Sequence, residues 1–462
     1  MPRRNIKRIL FIFIILFSAL IFNSGCSAKQ TLLFLNWGEY INDDLVALFE
    51  EEYNCNVIVD IADSNELFYA KIKSGTTAYD LVCPAEYMVE KMYINGLIQE
   101  IDYTKLDALD GITNEEKFNS YQNLIMPGVV DIEEYLNDDM QKLSEALGFD
   151  YNYSGNEINH YHMPYFWGTF GLMYNKINPT FVDNNTYDVD GKLVSNTPDG
   201  DPDILQKDNN AWKVYFFDSS LAPEDSLPES TKVGAYDSVR FFYGAVMTYA
   251  AGDPNVSVTE HLNEFKEIIS RRKYKEWGGD SLKHGIAAHN LDLVFNYTGD
   301  CLDMVYLKIQ GDDGEAGVDF EDVEFYTYTP NLTMAHVDTL VIPANSRHVD
   351  LAHKFLNFLL IPEYSWYNNR DIGYCPVLRS VYDIIVSKSS PDKDLFPSCY
   401  VEEDEEELHW KENWAKAIIK TFPVQDWEHG DYTSVKTGIP FSYFENTDIK
   451  KLTNTVNNVK AG

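Results

Sequence analysis

The segment TLLFLNWGEYINDDLVALFEEEYNCNVIVDIADSNELFYAKIKSGTTAYDLVCPAEYMVEKMYING, residues 31–96, alternates apolar runs with amphipathic stretches three times. The runs TLLFLNW, NVIVDIA and YDLVCP are short and apolar, as buried strands are. A helical pattern follows each run, and Gly75 and Gly96 end the second and third helices. The first helical pattern places its apolar residues on one face: Leu45, Val46, Leu48, Phe49 and Tyr53. Three consecutive βα units predict an α/β fold with a largely parallel sheet.

The loops that follow these strands predict the kind of ligand. Parallel sheets bind ligands beyond the carboxyl ends of their strands. The three loops in question are Asn36–Tyr40, Asp63–Glu66 and Pro84–Tyr87. They are rich in aromatic rings and carboxylates and contain no glycine-rich phosphate loop. A cation therefore fits this edge of the sheet better than an anion does.

The N-terminus has the pattern of an export signal. Four basic residues within residues 3–8 precede an apolar run from Ile9 to Phe22, which is too short for a comfortable membrane span. We therefore interpret residues 1–25 as a signal peptide. The sequence Asn23-Ser24-Gly25-Cys26 resembles a bacterial lipobox, which implies lipid attachment at Cys26, although Asn23 stands where an aliphatic residue is usual. The alternative is an ordinary secreted protein cut nearby.

Length and charge narrow the class of protein. The roughly 435 residues beyond the signal exceed what one hydrophobic core normally serves, so we expect two lobes. Without residues 1–25 the chain has 33 basic and 73 acidic residues, a formal net charge of −40. Such a surface excludes nucleic acid as a partner and attracts cations.

The cysteines and two neighbouring histidines suggest no metal site. Five cysteines follow Cys26 without CxxC or zinc-type spacing, and we expect them to be packing residues. His160 and His162 flank Tyr161, and we interpret both as surface polar residues. We expect neither a metal nor another cofactor.

Seven stretches in order along the chain carry a family resemblance. They are LNWGEYI (35–41), SNELFYAKIKSG (64–75), YDLVCPAEYMVEKM (79–92), MPYFWGTFGLMYN (163–175), YDSVRFF (236–242), VDTLVIPAN (337–345) and IGYCPV (372–377). Together they resemble the spermidine/putrescine-binding proteins of bacterial ABC transporters. Any one stretch is weak, but their common order covers most of the chain. Residues 105–160, 177–231 and 386–462 match poorly.

The resemblance implies the two-lobed periplasmic-binding-protein fold of type II, with the ligand in a cleft between the lobes. The chain would cross between lobes near Gly168–Gly171 and again near His336–Asp338. Lobe one would comprise residues 28–169 and 338–385, and lobe two residues 170–337 and 386–462.

The resemblance also implies a set of ligand contacts. The positions that match them are Trp37, Glu39, Tyr40, Tyr87, Asp237, Tyr297, Asp338 and Tyr374. A polyamine is a chain of methylenes interrupted by ammonium groups, so its site needs aromatic or apolar walls and acidic acceptors. Asp338 matches the cleft aspartate that pairs with an amine; otherwise it would cap a turn. For the aromatic residues a place in the hydrophobic core is the ordinary alternative, and for Tyr297 the two readings are equal.

Departures from the family pattern leave the choice of polyamine open. Aligning Arg240 on the family's arginine places Ser238 and Phe241 where spermidine binders commonly carry acids, whereas a shift by one residue restores Asp237. His336 replaces an aromatic residue, commonly tryptophan, and Ala85 replaces a small hydroxyl residue. A shorter or modified diamine is therefore as consistent with the sequence as spermidine.

These features predict a non-enzymatic, monomeric, lipid-anchored extracytoplasmic receptor that delivers a polyamine to an ABC permease. One alternative is a receptor of the same fold for another small cationic solute, because the fold alone does not fix the ligand. A second is a surface hydrolase that uses two carboxylates. The sequence has no nucleophile elbow, HExxH motif or catalytic triad pattern, which argues against the hydrolase.

Overall fold

The computed structural model describes residues 29–106, 124–147, 151, 158–181, 186–187, 193–195, 202–206, 210–311, 317–386, 405–421, 424–426, 431–434 and 438–461. The predicted signal peptide and Cys26 lie outside the described residues. In the described part, no helix combines the length and the apolarity that a membrane span needs.

Within the described ranges, the strands fall into two main sheets and three short antiparallel pairs. They are β1 Thr31–Asn36, β2 Asn56–Ile61, β3 Leu81–Val82, β4 Ile98–Gln99, β5 Met163–Asn175, β6 Thr186–Tyr187, β7 Leu193–Ser195, β8 Val233–Tyr236, β9 Glu276–Gly278, β10 Leu293–Tyr297, β11 Phe325–Tyr328, β12 Ala335–Leu340, β13 Ile342–Pro343, β14 Cys375–Pro376, β15 Val424–Asp426 and β16 Asp431–Ser434.

The helices pack around these sheets. They are α1 Asp43–Glu52, α2 Asn65–Ser74, α3 Glu86–Ile94, α4 Pro127–Leu147, α5 Asp203–Gln206, α6 Ala211–Tyr215, α7 Val239–Ala251, α8 Val258–Ile269, α9 Ser281–Ala287, α10 Thr298–Gln310, α11 Val349–Leu360, α12 Pro362–Ile372, α13 Arg379–Val386, α14 Glu405–Thr421 and α15 Asn446–Ala461.

The first sheet confirms the predicted α/β architecture. Its strands run parallel in the order β2-β1-β3. Ser64 accepts a hydrogen bond at the start of α2, and Gly75 ends that helix with a φ of 62°, a conformation that glycine adopts without steric cost. Leu45 and Phe49 of α1 are buried as predicted, but Leu48 is 40% exposed. The buried face of α1 is therefore narrower than its apolar pattern.

The long strand β5 joins two sets of partners. Its first half pairs with β12 and β14, and its second half pairs with β10 and β11. The change of partners falls between Thr169 and Phe170, and β12 lies opposite, with His336 paired to Gly168. All 13 residues of β5 are buried. The predicted boundaries of the two lobes stay a prediction.

A C-terminal segment, residues 438–445, lies beside this point. Ala335 donates a backbone hydrogen bond to Ile439 at 3.0 Å, and Phe441 packs against Phe170 and Tyr87. The backbone amide of Tyr443 donates to Glu90 of α3 at 3.0 Å. The segment therefore contacts the helix after β3 as well as the strand β12.

The structure agrees with the interpretation of the described cysteines and contradicts the interpretation of one histidine. Cys55, Cys83, Cys301 and Cys375 are free and buried, as expected of packing residues. The interpretation of His162 as a surface residue is wrong, because its ring is fully buried and its Nε2 lies 2.7 Å from Glu133 of α4. His160 remains partly exposed. The helix that covers His162 is α4, and it lies within residues 105–160, which match the family pattern poorly.

Arg240 fixes the C-terminal segment, and its removal should destabilise the fold. Its buried guanidinium donates to the carbonyl oxygens of Pro254 at 3.1 Å and Ser442 at 3.1 Å, and it stacks 3.8 Å from the Phe444 ring centroid. Arg240→Met leaves these acceptors without donors, at about 1–3 kcal/mol each. We expect the free energy of unfolding to fall by about 3 kcal/mol or more in urea denaturation.

The matched control for this change is Arg271→Met. Arg271 pairs at 3.3 Å with Glu267, whose side chain is 75% exposed, so its loss should cost less than about 1 kcal/mol. Equal effects of the two substitutions would show that Arg240 does not anchor the segment.

Candidate ligand-binding site

Asp338 sits where β12 meets the loop after β3. Its backbone pairs with Phe166 of β5 on one side and forms an isolated bridge with Ala85 on the other. A β-bulge between Asp338 and Thr339 interrupts the pairing there, a device that redirects side chains. The loop after β3 and the strand β12 thus meet at one buried carboxylate, which is 8% exposed.

The charge of the Asp338 carboxylate is not compensated by its described surroundings. The Tyr40 hydroxyl donates a hydrogen bond to Asp338 Oδ2 at 2.7 Å. Burial raises the Asp338 pKa to about 7, the Tyr40 hydrogen bond opposes the shift, and the charge of Asp300 adds to it. Among the described residues, no lysine or arginine lies within ion-pair distance of this carboxylate. A cation from outside the chain would supply the missing charge.

A second buried carboxylate belongs to Asp300, in the first turn of α10. The Tyr374 hydroxyl donates to Asp300 Oδ1 at 2.5 Å. Burial raises the Asp300 pKa to about 6, and the charge of Lys283 opposes the shift. Lys283 itself pairs with Asp280 at 2.6 Å and with Asp303 at 2.7 Å. Its charge is thus already shared between two other acids.

The rings of Tyr40 and Tyr374 bring the two acids together. Their centroids are 5.1 Å apart at an interplanar angle of 83°, an edge-to-face contact. Tyr374 reaches this place because Gly299 has no side chain, since a Cβ there would lie 2.3 Å from the tyrosine ring. We call Tyr40, Tyr297, Asp300, His336, Asp338 and Tyr374 the carboxylate cluster.

Further aromatic rings enclose the carboxylate cluster. Tyr297 packs 4.3 Å from Phe170 and 4.6 Å from His336, measured between ring centroids. Tyr87 meets Phe241 edge-on at 6.0 Å, and Phe241 in turn lies 5.5 Å from Tyr297. The cluster therefore combines acceptors for cations with flat apolar walls.

The structure brings together five of the eight predicted contacts. Tyr40, Tyr297, Asp338 and Tyr374 belong to the carboxylate cluster, and Tyr87 borders it through Phe241. These geometric relations agree with the predicted site, whose role in binding stays a prediction.

The other three predicted residues lie elsewhere. Trp37 is half-buried and packs edge-on against Phe68 at 4.6 Å. Glu39 is exposed, with a φ of 53°. Asp237 is exposed and hydrogen-bonded to Lys460 of α15, so it neutralises a lysine of the same chain. The roles of Trp37, Glu39 and Asp237 as ligand contacts stay predictions.

Sequence reasoning missed two acids of the region. Asp300 lies three residues after Tyr297, at the end of a strand, so the strand-end rule applied to NYTGD could have found it. Glu86 is fully buried and accepts hydrogen bonds from the amides of Val337 at 3.0 Å and Phe441 at 3.4 Å. Burial raises the Glu86 pKa to about 8. No sequence signal indicated the contact with Phe441.

Comparisons with known proteins concern the family and the fold of the chain. The family model described as "Bacterial extracellular solute-binding protein" matches residues 35–366. The putrescine-binding periplasmic protein PotF of Escherichia coli is 23% identical over 372 residues, which cover 80% of this chain and 84% of PotF. The spermidine/putrescine-binding periplasmic protein of Salmonella typhimurium is 26% identical over 379 residues, with coverages of 80% and 84%.

A solved structure supports the fold. The spermidine/putrescine ABC transporter substrate-binding protein PotD of Streptococcus pneumoniae superposes with a TM-score of 0.57 at 20% sequence identity. The superposition covers 94% of this chain and 99% of that one. At this level of identity the similarity shows the shared fold.

Proposed function

The chain belongs to the bacterial extracellular solute-binding proteins, and on that premise we propose that it is a receptor for a small polyamine of the putrescine or spermidine type. The proposal extends the family membership to a ligand class. The names of the similar proteins support that class, since those of Escherichia coli and Salmonella typhimurium are named for binding putrescine or spermidine.

The observation that carries the proposal is the pair of buried acids Asp338 and Asp300. A buried carboxylate without a cationic partner is costly, and a protein retains such groups where function requires them. Each acid accepts a hydrogen bond from a tyrosine hydroxyl, which fixes its position. The charge of Lys283 partly compensates Asp300, whereas no lysine or arginine among the described residues pairs with Asp338. Two ammonium groups of one ligand would neutralise both acids at once.

The aromatic walls suit the remainder of such a ligand. Each methylene buried against a ring contributes roughly 0.8 kcal/mol. An ammonium over a tyrosine face gains about 2 kcal/mol when it is desolvated. Tyr297 and Tyr374 line the acids closely enough to supply both kinds of contact. An anion would gain little from this combination, because the ionised acids repel it.

The wider proposal concerns delivery. The receptor is non-enzymatic and monomeric. Residues 1–25 direct its export, and a lipid on Cys26 holds it at the outer face of the cell membrane. Closure of two lobes over the ligand presents the loaded form to an ABC permease. Closure requires that the ligand bind the closed state more tightly than the open one, because equal affinities shift no population.

Two other functions are alternatives to this proposal. A same-fold receptor for another cationic solute would use the same acids, and only ligand identity separates it from the proposal. A hydrolase would need a carboxylate pair that addresses a scissile bond. The family membership favours a receptor, because the family is one of solute-binding proteins.

The test is a thermal-shift and calorimetric titration of the full mature chain with putrescine, cadaverine and spermidine. Ligand at about 100 times Kd should stabilise the fold by about 2.7 kcal/mol. Butane-1,4-diol is the neutral control of similar length, and it should give no shift. Stabilisation by an unrelated solute and by no polyamine would contradict the proposal.

A further inference from the structure

His336 is a buried polar side chain in the middle of the carboxylate cluster. It belongs to β12, two residues before Asp338, and its ring is 1% exposed. Among the described residues, neither Nδ1 nor Nε2 has a hydrogen-bond partner. A buried imidazole with two unpaired nitrogens costs free energy, because each nitrogen loses its contact with water without a replacement. The protein retains that cost at the proposed ligand site.

The surroundings keep His336 neutral. Its ring packs edge-on against Tyr297 at 4.6 Å and Phe170 at 5.6 Å, and burial lowers its pKa to about 3. Asp338 Oδ2 lies 3.9 Å from His336 Nε2, beyond a hydrogen bond. A neutral imidazole has one nitrogen without a proton, and that nitrogen accepts hydrogen bonds.

The 3.9 Å gap between His336 Nε2 and Asp338 Oδ2 has the width that one nitrogen donor would bridge. A single ammonium nitrogen can lie about 2.9 Å from both atoms, which is hydrogen-bond distance to each. The ammonium would then donate one N–H to the carboxylate and another to the imidazole. A quaternary ammonium carries the same charge but has no N–H to donate.

We propose that His336 is a specificity-determining ligand contact that accepts a hydrogen bond from the ammonium neutralised by Asp338. This end of the site therefore selects amines that carry N–H groups and discriminates against quaternary ammonium ions. The inference rests on the proposed function, because it names the class of amine that the same site takes. It assigns to His336 a role that a purely aromatic residue at this position does not have.

The experiment compares two ligands and two variants of the full mature chain. Putrescine has N–H donors at both ends, whereas its hexamethylated analogue keeps the two charges and the four-carbon spacing without any N–H. The variant His336→Phe keeps a flat ring and removes the acceptor. The variant His336→Asn keeps an acceptor and reduces the ring.

Isothermal calorimetry should show a loss of at least about tenfold in putrescine affinity for His336→Phe, as expected for a hydrogen bond to a charged group. His336→Asn should retain more putrescine affinity than His336→Phe. The hexamethylated analogue should bind the wild-type chain more weakly than putrescine does and should be little affected by His336→Phe. Melting temperatures of the unliganded variants establish that each chain is folded.

A second measurement reports the contact directly. In the chain labelled with ¹⁵N-histidine, addition of putrescine should shift the ring-nitrogen resonance that His336→Phe removes. Unchanged putrescine affinity in a folded His336→Phe chain, or an equal loss for both ligands, would overturn the inference and leave the proposed function intact. Absence of binding of every polyamine to the wild-type chain would overturn both.

Discussion

Replacing Asp338 with asparagine is expected to weaken putrescine binding by roughly 2–5 kcal/mol, the range for truncating one partner of a buried charge pair. The change preserves the shape of the side chain and leaves an oxygen that accepts the Tyr40 hydrogen bond. It removes the charge that would compensate an ammonium desolvated among aromatic rings. Calorimetry at pH 8 is the appropriate measurement, because the Asp338 pKa of about 7 leaves the wild-type carboxylate largely ionised there.

Asp350→Asn is the matched control for this substitution. Asp350 is an exposed acid outside the predicted site that pairs with Lys105 at 2.6 Å, so the same chemical change should leave putrescine affinity unchanged. The unliganded Asp338→Asn chain should be at least as stable as the wild type at pH 8, since it no longer ionises a buried group. Full putrescine affinity in Asp338→Asn would remove Asp338 from the binding site.

The affinity for a polyamine should rise steeply between pH 5 and pH 8. Asp338 and Asp300 have raised pKa values of about 7 and about 6 in the free protein, so both are mostly protonated at pH 5. A cation binds the ionised forms, and its arrival releases those protons. Affinity is therefore present above these pKa values and is lost as the pH falls through them. If both acids are fully ionised in the complex, the affinity rises between pH 5 and pH 8 by at most about a hundredfold through Asp338 and about tenfold through Asp300.

Calorimetry in buffers of different ionisation enthalpy counts the protons released on binding. The wild-type chain at pH 6 should release between one and two protons per ligand, and Asp338→Asn should release about one fewer. Glu86 has a pKa of about 8 and accepts hydrogen bonds from two backbone amides. It should keep its protonation state if the ligand does not reach it. An affinity that stays constant or falls between pH 5 and pH 8 would contradict the assignment of these acids to the site.

Part of the site was accessible to sequence reasoning because it follows a topological rule. Loops after parallel strands meet at one edge of the sheet, and this rule selected the loop that contains Tyr40. Asp338 was found by resemblance, through the stretch VDTLVIPAN. The same strand-end argument on NYTGD would have reached Asp300, which the structure places in contact with Tyr374. Glu39 shows the limit of the rule, since a residue in the right loop is nevertheless exposed.

Other features depended on segments far apart in the chain. His162 and Glu133 are 29 residues apart, and their contact depends on a helix that carries no family pattern. The C-terminal segment packs Phe441 on Tyr87, more than 350 residues away in sequence. Neither contact leaves a local periodicity, because each depends on which distant segment packs against it.

The sequence by itself determined the βα order, the end of α2 at Gly75 and the acidic, aromatic character of the strand-end loops. These depend on local backbone preferences and on the period of apolar residues, which a short window of sequence contains. Only the tertiary structure decided that Asp338 and Asp300 face one cluster, that Asp237 pairs with Lys460 and that His336 has no partner for either nitrogen among the described residues. Charge compensation and burial are sums over all neighbours in space, and a linear sequence does not specify which residues those neighbours are.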